Sequence, residues 1–517
     1  MSRKIFLPLF ALLLLLGAVS VVSAADELIK ARFTVDRHSV RIGEQVNFDA
    51  GISSPGEERE MSTYYWQFSG MDRVGVDIHG EQVTHVFNHT GAYTVRLIVE
   101  NDIGERDQAV AFVEVLPDTD DGLSITSNFE GGKTGVLMAS EHDFCFRLEW
   151  GGQFYFRLDN CAGKPVSLKI IGYGPNRLQL PSVTPYARDY SFDEKFVMMA
   201  STDYMAPDWQ PLEDARYTYD EETASLVVEF TPSANSVYLA WAPVYTPGRL
   251  EEMLDRWEDR EEVEISIIGL SVEGRPVYSM IVTGTDGELE DKKVIAITGN
   301  QHAYEMAAGW VIEGIMETLF ADNDSSRAML EQCVFVMVPM VNPDGVFRGG
   351  YRYNMNDIDL NRNWNDEALN DWDSALPEPE VATAQRFLRE WMADVGRMDF
   401  FFDFHCLTAI ANNLLMIRAG LDSIQVEVRE AQEKFTDLFS KRWQWRRGID
   451  DGLSGGACGW AAEMWAREYG VKSFTPEHCL GWIRRAGGEP MKARPELWRE
   501  LGADYVWVLR EFFRSEE

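Results

Sequence analysis

Apolar and polar positions divide the chain into a β-rich first half and a second half in which strands alternate with helices. Apolar residues occupy every second position from Tyr93 to Val99, the pattern of a strand with one buried face. Residues 294–298 form a continuous apolar run, which is typical of a buried strand. From Pro247 onwards, such runs are separated by segments with helical apolar spacing. The pattern predicts an α/β domain with a mixed, mostly parallel sheet flanked by helices, preceded by two all-β sandwich domains.

Changes in pattern and composition mark the domain borders. Residues 115–122 form an acidic stretch that contains proline and glycine, as a linker does. In the second β-rich region, two similar segments, 144–150 and 154–160, flank Gly151-Gly152 and predict a β-hairpin. The expected segments are residues 1–24, 28–117, 123–245 and 247–517, and helices in the last of them are expected at 305–320, about 378–393, about 424–442 and 494–514.

The first residues indicate export. Arg3 and Lys4 precede an apolar run at 5–22, and the small residues up to Ala24 suit a signal-peptide cleavage site. The sequence therefore predicts a signal peptide removed after about Ala24. The mature protein is expected to be secreted or periplasmic, without stable membrane insertion after cleavage. A retained membrane anchor is the alternative, because the apolar run is near the lower length of a membrane span.

Composition narrows the class of partner. The chain has 517 residues, too many for one ordinary core, and a formal net charge of −36. Because this charge repels phosphate, nucleic acid is not expected as a partner. The six cysteines are permitted to form disulfides in an exported chain. A Cys458–Cys479 bridge and buried free thiols are both consistent with the spacing.

Two aromatic-rich segments characterise the first β-rich region. They are YYWQFSG, which contains Trp66 and Phe68, and HVFNHTGAYTVRLIVENDIG, which begins at His85. Together they resemble the PKD domain, an immunoglobulin-like module common in exported proteins. Trp66 and Phe68 match its W-x-F core pair, and His85 matches its structural histidine. Gln67 and Ser69 depart from its usual acidic and glycine residues. The partner of this domain is unknown.

His302 and Glu305 stand where the strand at 294–298 gives way to a helix. Side chains three residues apart can face the same way there, so that an imidazole and a carboxylate can share a zinc ion with a third ligand and a water. The H-x-x-E motif alone is weak, because it often arises by chance. The sequence that follows decides whether the pair is a metal site or a structural His beside a surface Glu.

Four further motifs follow in chain order. They are N-P-D-G at 342–345, D-L-N-R-N-W at 359–364, a lone His405 at a strand end, and T-x-E ending at Glu477. With H-x-x-E they resemble the zinc carboxypeptidase family of the funnelin type, over about residues 250–515. The preceding β-rich region, which ends in WAPVYTPGRLEEML, is similar to the β domain of the cytosolic carboxypeptidases, which trim glutamates from protein tails.

The resemblance implies a zinc centre with a general base. One Zn²⁺ would be held by His302, Glu305 and His405, with water in the open position. Glu477 would take a proton from that water and deliver it to the departing amine. A simple surface carboxylate is the alternative for Glu477. Asp359 would accept a hydrogen bond from His302, and a solvated charge is its alternative.

The resemblance also implies how the end of a substrate is bound. Arg352 would stabilise the developing oxyanion through fixed positive charge. Asn361 and Arg362 would hold the terminal carboxylate, which a guanidinium can grip with two parallel hydrogen bonds. Such a contact would make the enzyme an exopeptidase.

Two positions depart from the digestive members of the family. Asp451 stands where they have a mobile tyrosine, and Cys458 occupies the position that sets side-chain preference. The tyrosine's role in capping the substrate is therefore absent or filled from elsewhere. Cys458 is not a basic residue that would select glutamate, so that preference is suggested by the β domain alone. Arg418, Arg446 and Arg447 are basic candidates for the pocket whose placement the sequence does not determine.

The expected function is that of an exported, zinc-dependent metallocarboxypeptidase acting on the C-termini of peptides or proteins. Three alternatives stay open: a peptidase of peptidoglycan stem peptides, a zinc-dependent deacylase of N-acyl amino acids, and a non-catalytic binding protein. All but the last keep the same metal centre and change only the substrate.

Overall fold

The computed structural model divides the chain into two compact units, Met1–Val115 and Leu116–Glu517. The predicted signal peptide lies outside the described residues. The structure describes residues 29–56, 59–69, 76–87, 91–116, 122–127, 129–133, 136–140, 142–147, 154–171, 196–203, 208–220, 225–350, 352–356, 358–364, 377–407, 414–418, 425–443, 445–447 and 460–516.

Two β-sheets form the described part of the first unit. Its described strands are β1 (Thr34–Val35), β2 (Ser39–Arg41), β3 (Gln45–Asp49), β4 (Met61–Ser69), β5 (Val76–His79), β6 (Gln82–Val86), β7 (Gly91–Asn101) and β8 (Arg106–Leu116). One sheet has the order β1-β3-β6 and the other β2-β8-β7-β4-β5.

Aromatic residues pack in the core of the first unit. The predicted pair, Trp66 and Phe68, is buried on β4. Trp66 Nε1 donates a 2.8 Å hydrogen bond to the Gly80 carbonyl, so its polar group is satisfied inside the core. The ring of His85 stacks on Phe68 with centroids 4.3 Å apart, as expected of a structural residue.

The second unit begins with two five-stranded sheets. Their strands are β9 (Ser124–Thr126), β10 (Val136–Ser140), β11 (Asp143–Arg147), β12 (Tyr155–Asp159), β13 (Val166–Ile171), β14 (Met199–Ser201), β15 (Gln210–Pro211), β16 (Arg216–Asp220), β17 (Ser225–Phe230) and β18 (Ser236–Ala240). The sheet orders are β10-β11-β13-β17-β16 and β15-β14-β18-β12-β9.

The expected hairpin around Gly151-Gly152 is wrong. β11 pairs with β10 and β13 in one sheet, whereas β12 pairs with β18 and β9 in the other. Phe146 of β11 stacks on Phe156 of β12, with ring centroids 5.0 Å apart. Both strands carry large aromatic residues, which are buried when the strands belong to opposing sheets. A hairpin would have placed those residues side by side on a single sheet.

An eight-stranded mixed sheet with flanking helices completes the second unit and confirms the predicted fold class. Its order is β19-β20-β22-β21-β23-β26-β24-β25, and β22, β21, β23 and β26 run parallel. The elements of this region are α1 (Pro247–Trp257), β19 (Val263–Leu270), β20 (Pro276–Thr283), β21 (Lys293–Gly299), α2 (Ala307–Leu319), α3 (Asp324–Gln332), β22 (Cys333–Val338), α4 (Pro343–Phe347), α5 (Pro379–Val395), β23 (Phe400–Leu407), β24 (Leu414–Arg418), α6 (Val426–Ser440), β25 (Trp445–Arg447), α7 (Ala461–Tyr469), β26 (Lys472–Cys479), β27 (Trp482–Arg484), β28 (Pro490–Lys492) and α8 (Pro495–Arg514), with short 3₁₀ turns at Leu289–Asp291 and Leu360–Arg362.

The β sandwich and the mixed sheet share one hydrophobic core. Tyr245 meets Trp310 of α2 edge-on, with ring centroids 5.1 Å apart. The close approach needs Gly309, where an added Cβ would lie 2.2 Å from Tyr245 Cδ1. Arg249 of α1 forms a buried ion pair with Glu313 of α2, at 2.9 Å from Nε to Oε1. The border expected near residue 246 therefore lies inside one packed unit.

The sequence left the pairing of the cysteines open and predicted no stable membrane insertion of the mature protein. Cys161, Cys333 and Cys406 are buried free thiols. The Cys458–Cys479 bridge stays a prediction, because Cys458 lies outside the described residues. In the part of the chain that the structure describes, no helix combines the length and apolarity that a membrane crossing requires.

Candidate active site

The turn after β21 brings His302 and Glu305 to the carboxyl end of the mixed sheet. Asn300 adopts a φ of +50°, a left-handed conformation that asparagine tolerates better than most residues. Its Nδ2 donates to the Glu305 carbonyl over 3.1 Å, and the backbone N–H of Glu305 donates to the His302 carbonyl over 3.2 Å. Both predicted ligands are buried, with 3% and 2% of their surface exposed.

His405 and Glu477 lie side by side on β23 and β26, whose register pairs them directly. Directly paired residues on neighbouring strands point to the same face of a sheet, so the predicted base stands beside the predicted third ligand. His405 is buried, whereas Glu477 keeps part of its surface exposed, as a group that meets a substrate must.

Three donor atoms from His302, Glu305 and His405 converge on one point. His302 Nδ1 lies 2.8 Å from Glu305 Oε1, and His405 Nδ1 lies 2.6 Å from Glu305 Oε2. The two Nδ1 atoms are 3.1 Å apart, so protons on both would repel each other. A cation between two lone pairs and a carboxylate satisfies all three groups, and two histidines with one carboxylate form a donor set suited to zinc. The residues present therefore fit a zinc ion.

Carboxylates orient the outer nitrogen of each histidine. The predicted contact between His302 and Asp359 is present, at 3.0 Å from Nε2 to Oδ1. His405 Nε2 lies 2.7 Å from Asp403 Oδ2. A protonated Nε2 in each ring leaves the Nδ1 lone pair directed at the shared point, which is the arrangement of carboxylate–histidine–zinc triads.

The sequence interpretation missed Asp403. Its signal was the order Asp-Phe-His, because residues two apart on a strand share a face. Its second oxygen, Oδ1, accepts from Thr298 Oγ1 at 2.8 Å and from Gln301 Nε2 at 2.7 Å. Asp403 is fully buried with these partners, so it ties His405 to the end of β21.

The charges at the site shift the titration of its residues. Burial raises the pKa of Glu477 to about 7, and the nearby Glu305 adds to the increase. Burial acts in the same direction on Asp359, but His302 and Arg352 outweigh it and hold the pKa of Asp359 well below its usual value. Glu477 is therefore the carboxyl group that holds a proton near neutral pH, whereas Asp359 stays ionised.

Arg352 and Arg362 differ in their partners. Arg352 Nε donates to Asp359 Oδ2 over 2.7 Å, which leaves its other N–H groups for a substrate. Arg362 forms no ion pair with a described carboxylate, and its Nη1 donates to the carbonyl of Asn361 over 2.8 Å. Its guanidinium lies over the ring of Trp460, 4.7 Å from the centroid. Sequence interpretation did not identify Trp460.

The amide oxygen of Asn361 is already engaged within the protein, because Oδ1 accepts from the backbone N–H of Ala461 over 2.9 Å. Its Nδ2 lies 3.0 Å from His405 Nε2, but a protonated Nε2 that donates to Asp403 cannot accept from it. The structure thus brings Asn361 to the metal ligands and to the start of α7. Of the predicted carboxylate-binding pair, Arg362 retains the larger number of unused donors.

The segment that carries Arg352 and Asp359 is hydrogen-bonded to the start of α5. Asn354 Nδ2 donates to Glu378 Oε2 at 2.8 Å and to Glu380 Oε2 at 3.1 Å. Its Oδ1 accepts from the backbone N–H groups of Asn356 and Ile358, at 3.0 and 3.1 Å. One buried amide therefore sets the path of the chain between Arg352 and Asp359.

The basic pocket candidates and the two positions that depart from the family pattern are the remaining predicted residues. Arg418 pairs with Glu433, at 3.0 Å from Nη1 to Oε1. The register places Arg446 beside Leu415, which is itself paired with Glu477. The two departures from the family pattern, Asp451 and Cys458, lie outside the described residues.

Two segments of the chain match models of known families. Residues 250–414 match the model of the zinc carboxypeptidase family, and residues 31–115 match that of the PKD domain. An uncharacterised protein of Zymomonas mobilis is 25% identical over 416 residues, which cover 75% of this chain and 96% of that protein. Mouse cytosolic carboxypeptidase 6 is 27% identical over 221 residues, which cover 40% of each chain.

Solved structures show the same fold. The metallo-carboxypeptidase from Burkholderia cenocepacia superposes with a TM-score of 0.61 at 23% identity. The similarity covers 76% of this chain and all of the other, so the fold is shared by the sandwich and the mixed sheet together.

Proposed function

The chain belongs to the zinc carboxypeptidase family and is a metallocarboxypeptidase, and from this we propose that it removes C-terminal residues from peptides or proteins with Glu477 as general base. The observation that carries the proposal is the convergence of His302 Nδ1, His405 Nδ1 and the Glu305 carboxylate beside Glu477. One zinc ion held by these three residues would activate a water and polarise the scissile carbonyl.

Glu477 accepts and returns one proton in this proposal. Its position beside His405 puts the carboxylate next to the donor cluster. Its raised pKa, about 7, suits a group that takes a proton from water and then releases it to the departing amine near neutral pH. Its partial exposure supports access by substrate.

The two arginines bind different parts of the substrate. Arg352, held by Asp359, supplies fixed positive charge for the oxygen of the scissile carbonyl. Arg362 has no described carboxylate partner, so it is available for the terminal carboxylate of the substrate. A half-buried guanidinium without an anion is costly, and a bound carboxylate lowers that cost.

A peptide panel tests this proposal. Purified protein loaded with zinc is incubated with peptides that end in Glu, Lys, Phe or Ala, each with a free or an amidated terminus, and products are followed by mass spectrometry. Stepwise release of single residues from free ends, blocked by amidation and by a chelator, is expected. Cleavage of amidated peptides at the same rate would contradict the role of Arg362.

The same panel separates the alternatives. A muropeptide and an N-acyl amino acid are added to it. Turnover of the muropeptide alone assigns the enzyme to peptidoglycan stem peptides, and turnover of the acyl amino acid alone assigns it to deacylation. A protein that binds no zinc and turns over none of these substrates would be a binding protein.

Export and the domain borders are part of the proposal. We expect residues 1–24 to direct secretion or transfer to the periplasm, with a PKD domain, a β domain and a catalytic domain remaining. The basis is the basic, apolar and small-residue order at the N-terminus. The N-terminal residue of protein recovered outside the cytoplasm is then expected to follow Ala24 closely, and recovery of full-length protein in a membrane fraction would contradict cleavage.

A further inference from the structure

Arg362 is held by contacts that do not neutralise its charge. Within the described part of the chain it donates one hydrogen bond, from Nη1 to the carbonyl of Asn361 at 2.8 Å, and forms no ion pair. A guanidinium has five N–H donors, so most of them are unused. Its other contact is the ring of Trp460, 4.7 Å from the guanidinium carbon to the ring centroid.

Nearby charged residues act on Arg362 in opposite directions. Asp359 attracts it most strongly, Arg352 repels it, and Glu477 adds a smaller attraction. Asp359 is already bonded to His302 at 3.0 Å and to Arg352 at 2.7 Å. If Arg362 moved to Asp359, it would compete with both contacts and lose its availability to a substrate.

Trp460 opposes that movement. The face of an indole ring attracts a cation, and the attraction increases when the pair is removed from water. The ring is fixed by its place at the start of α7, where the backbone N–H of the next residue, Ala461, donates to Asn361 Oδ1 over 2.9 Å. The start of α7 therefore contacts both members of the predicted carboxylate-binding pair.

We infer that Trp460 is a positioning residue for substrate binding: its ring holds the guanidinium of Arg362 away from Asp359, with its donors available to the terminal carboxylate. This inference rests on the proposed role of Arg362. It adds a residue that acts through Arg362 and does not touch the metal centre.

Three tryptophan variants test the inference. Trp460→Leu removes the ring face and keeps an apolar side chain, and Trp460→Phe keeps a ring face. Trp507→Leu is the matched control, because Trp507 carries Arg442 at a similar distance, 4.8 Å, in an arrangement unrelated to the site. Each variant is compared with the parent protein for zinc content, kcat and KM.

The expected result is a change in KM without an equal change in kcat. Trp460→Leu should raise KM for a free-ended peptide about tenfold, the size of a partly desolvated cation–π contact, with kcat within about twofold. The inhibition constant of the released amino acid should rise by the same factor. Trp460→Phe should restore most of the difference, and Trp507→Leu should leave KM unchanged. A Trp460→Leu protein that loses kcat alone, or that behaves as the control does, overturns the inference.

Arg362→Gln separates failure of the inference from failure of the proposed function. If Arg362→Gln leaves the preference for free over amidated ends intact, the proposed carboxylate contact is wrong, and the inference is wrong with it. If that variant abolishes the preference but Trp460→Leu does not affect KM, only the inference is wrong. In the Arg362→Gln background, Trp460→Leu should cause no further change.

Discussion

At the scale of single residues, the most specific prediction concerns Asp403 and the affinity of the site for zinc. It bonds His405 at 2.7 Å and is itself held by two buried donors. Asp403→Asn keeps the volume but removes the charge that fixes the ring and raises its basicity. Zinc affinity is expected to fall about 10- to 100-fold, as measured by competition with a chromogenic chelator.

Asp399→Asn is the control for that variant. Asp399 lies just before β23 and bonds the backbone N–H of Val294 at 2.9 Å, so the same chemical change is made away from the donor cluster. Equal zinc affinity in the Asp403→Asn and Asp399→Asn proteins would contradict the role of Asp403.

Glu477 determines the acid limb of the pH profile. Its pKa is raised to about 7, and the ionised form is the one that accepts a proton. Activity is therefore present above that pKa, and kcat/KM should fall about tenfold per pH unit as the pH is lowered below it. Rates measured from pH 5 to pH 9 check this, and a flat profile down to pH 5 would contradict titration of Glu477 near pH 7 in the active protein.

The residues of the candidate site could be predicted from the sequence where they belong to a recognisable motif. The sequence identified the two histidines and Glu305, and the structure brings them together as expected. Asp403 was not identified although it lies two residues before His405 on the same strand, a spacing that places both on one face. Trp460 was not identified because its contact with Arg362 joins residues about a hundred positions apart in the chain. No local sequence pattern predicts a contact between a guanidinium and an aromatic ring that is distant in the chain.

At the scale of elements, the start of α5 controls the segment that bears Arg352 and Asp359. Burial raises the pKa of Glu380 to about 6, with Asn354 and Val272 as hydrogen-bond partners. The Glu380 carboxyl therefore binds its proton more tightly in the folded state than in the unfolded state. The stabilising effect is present below about pH 4.5 and is lost as the pH rises through about 6, with a total of at most about 2 kcal/mol.

Glu380→Gln isolates that effect. The variant cannot titrate, so the difference in free energy of unfolding between the parent and the variant should change by up to about 2 kcal/mol between pH 4.5 and pH 7. Denaturant unfolding at a series of pH values provides the measurement. Parallel pH dependence in the two proteins would exclude Glu380 as the titrating group.

Elements were predictable where their apolar period was regular. The helices expected at 305–320 and 494–514 correspond to α2 and α8, at Ala307–Leu319 and Pro495–Arg514. The hairpin around Gly151-Gly152 was wrong, because turn chemistry does not say which sheet each strand joins. The edge strand β19, at Val263–Leu270, was not assigned, because its apolar residues are partly exposed and irregular.

At the scale of the whole molecule, the β sandwich and the mixed sheet belong to one compact unit. Their core is continuous, and Tyr245 packs on Trp310 where Gly309 leaves room. A fragment that starts at residue 247 is expected to be insoluble or molten, because it exposes the apolar surface that the sandwich covers. Solubility and near-ultraviolet circular dichroism check this, and an active, folded fragment would contradict it.

The first unit has a different expected behaviour. Met1–Val115 is compact by itself, and its core residues form a separate cluster. Removal of this unit is therefore expected to leave turnover of short peptides within about twofold. The sequence predicted the PKD domain correctly, and the border that it places near residue 246 stays a prediction.

Glu477 beside the donor cluster is the residue on which the proposed activity depends most directly, and one comparison tests its role. Parent protein and Glu477→Gln, matched for zinc content, are incubated with the same free-ended peptide, and release of the terminal residue is timed by mass spectrometry. We predict that the variant binds zinc and peptide as the parent does but releases the residue about 10²- to 10⁴-fold more slowly. Equal rates in the two proteins, or cleavage at an internal bond by the parent, would contradict the account.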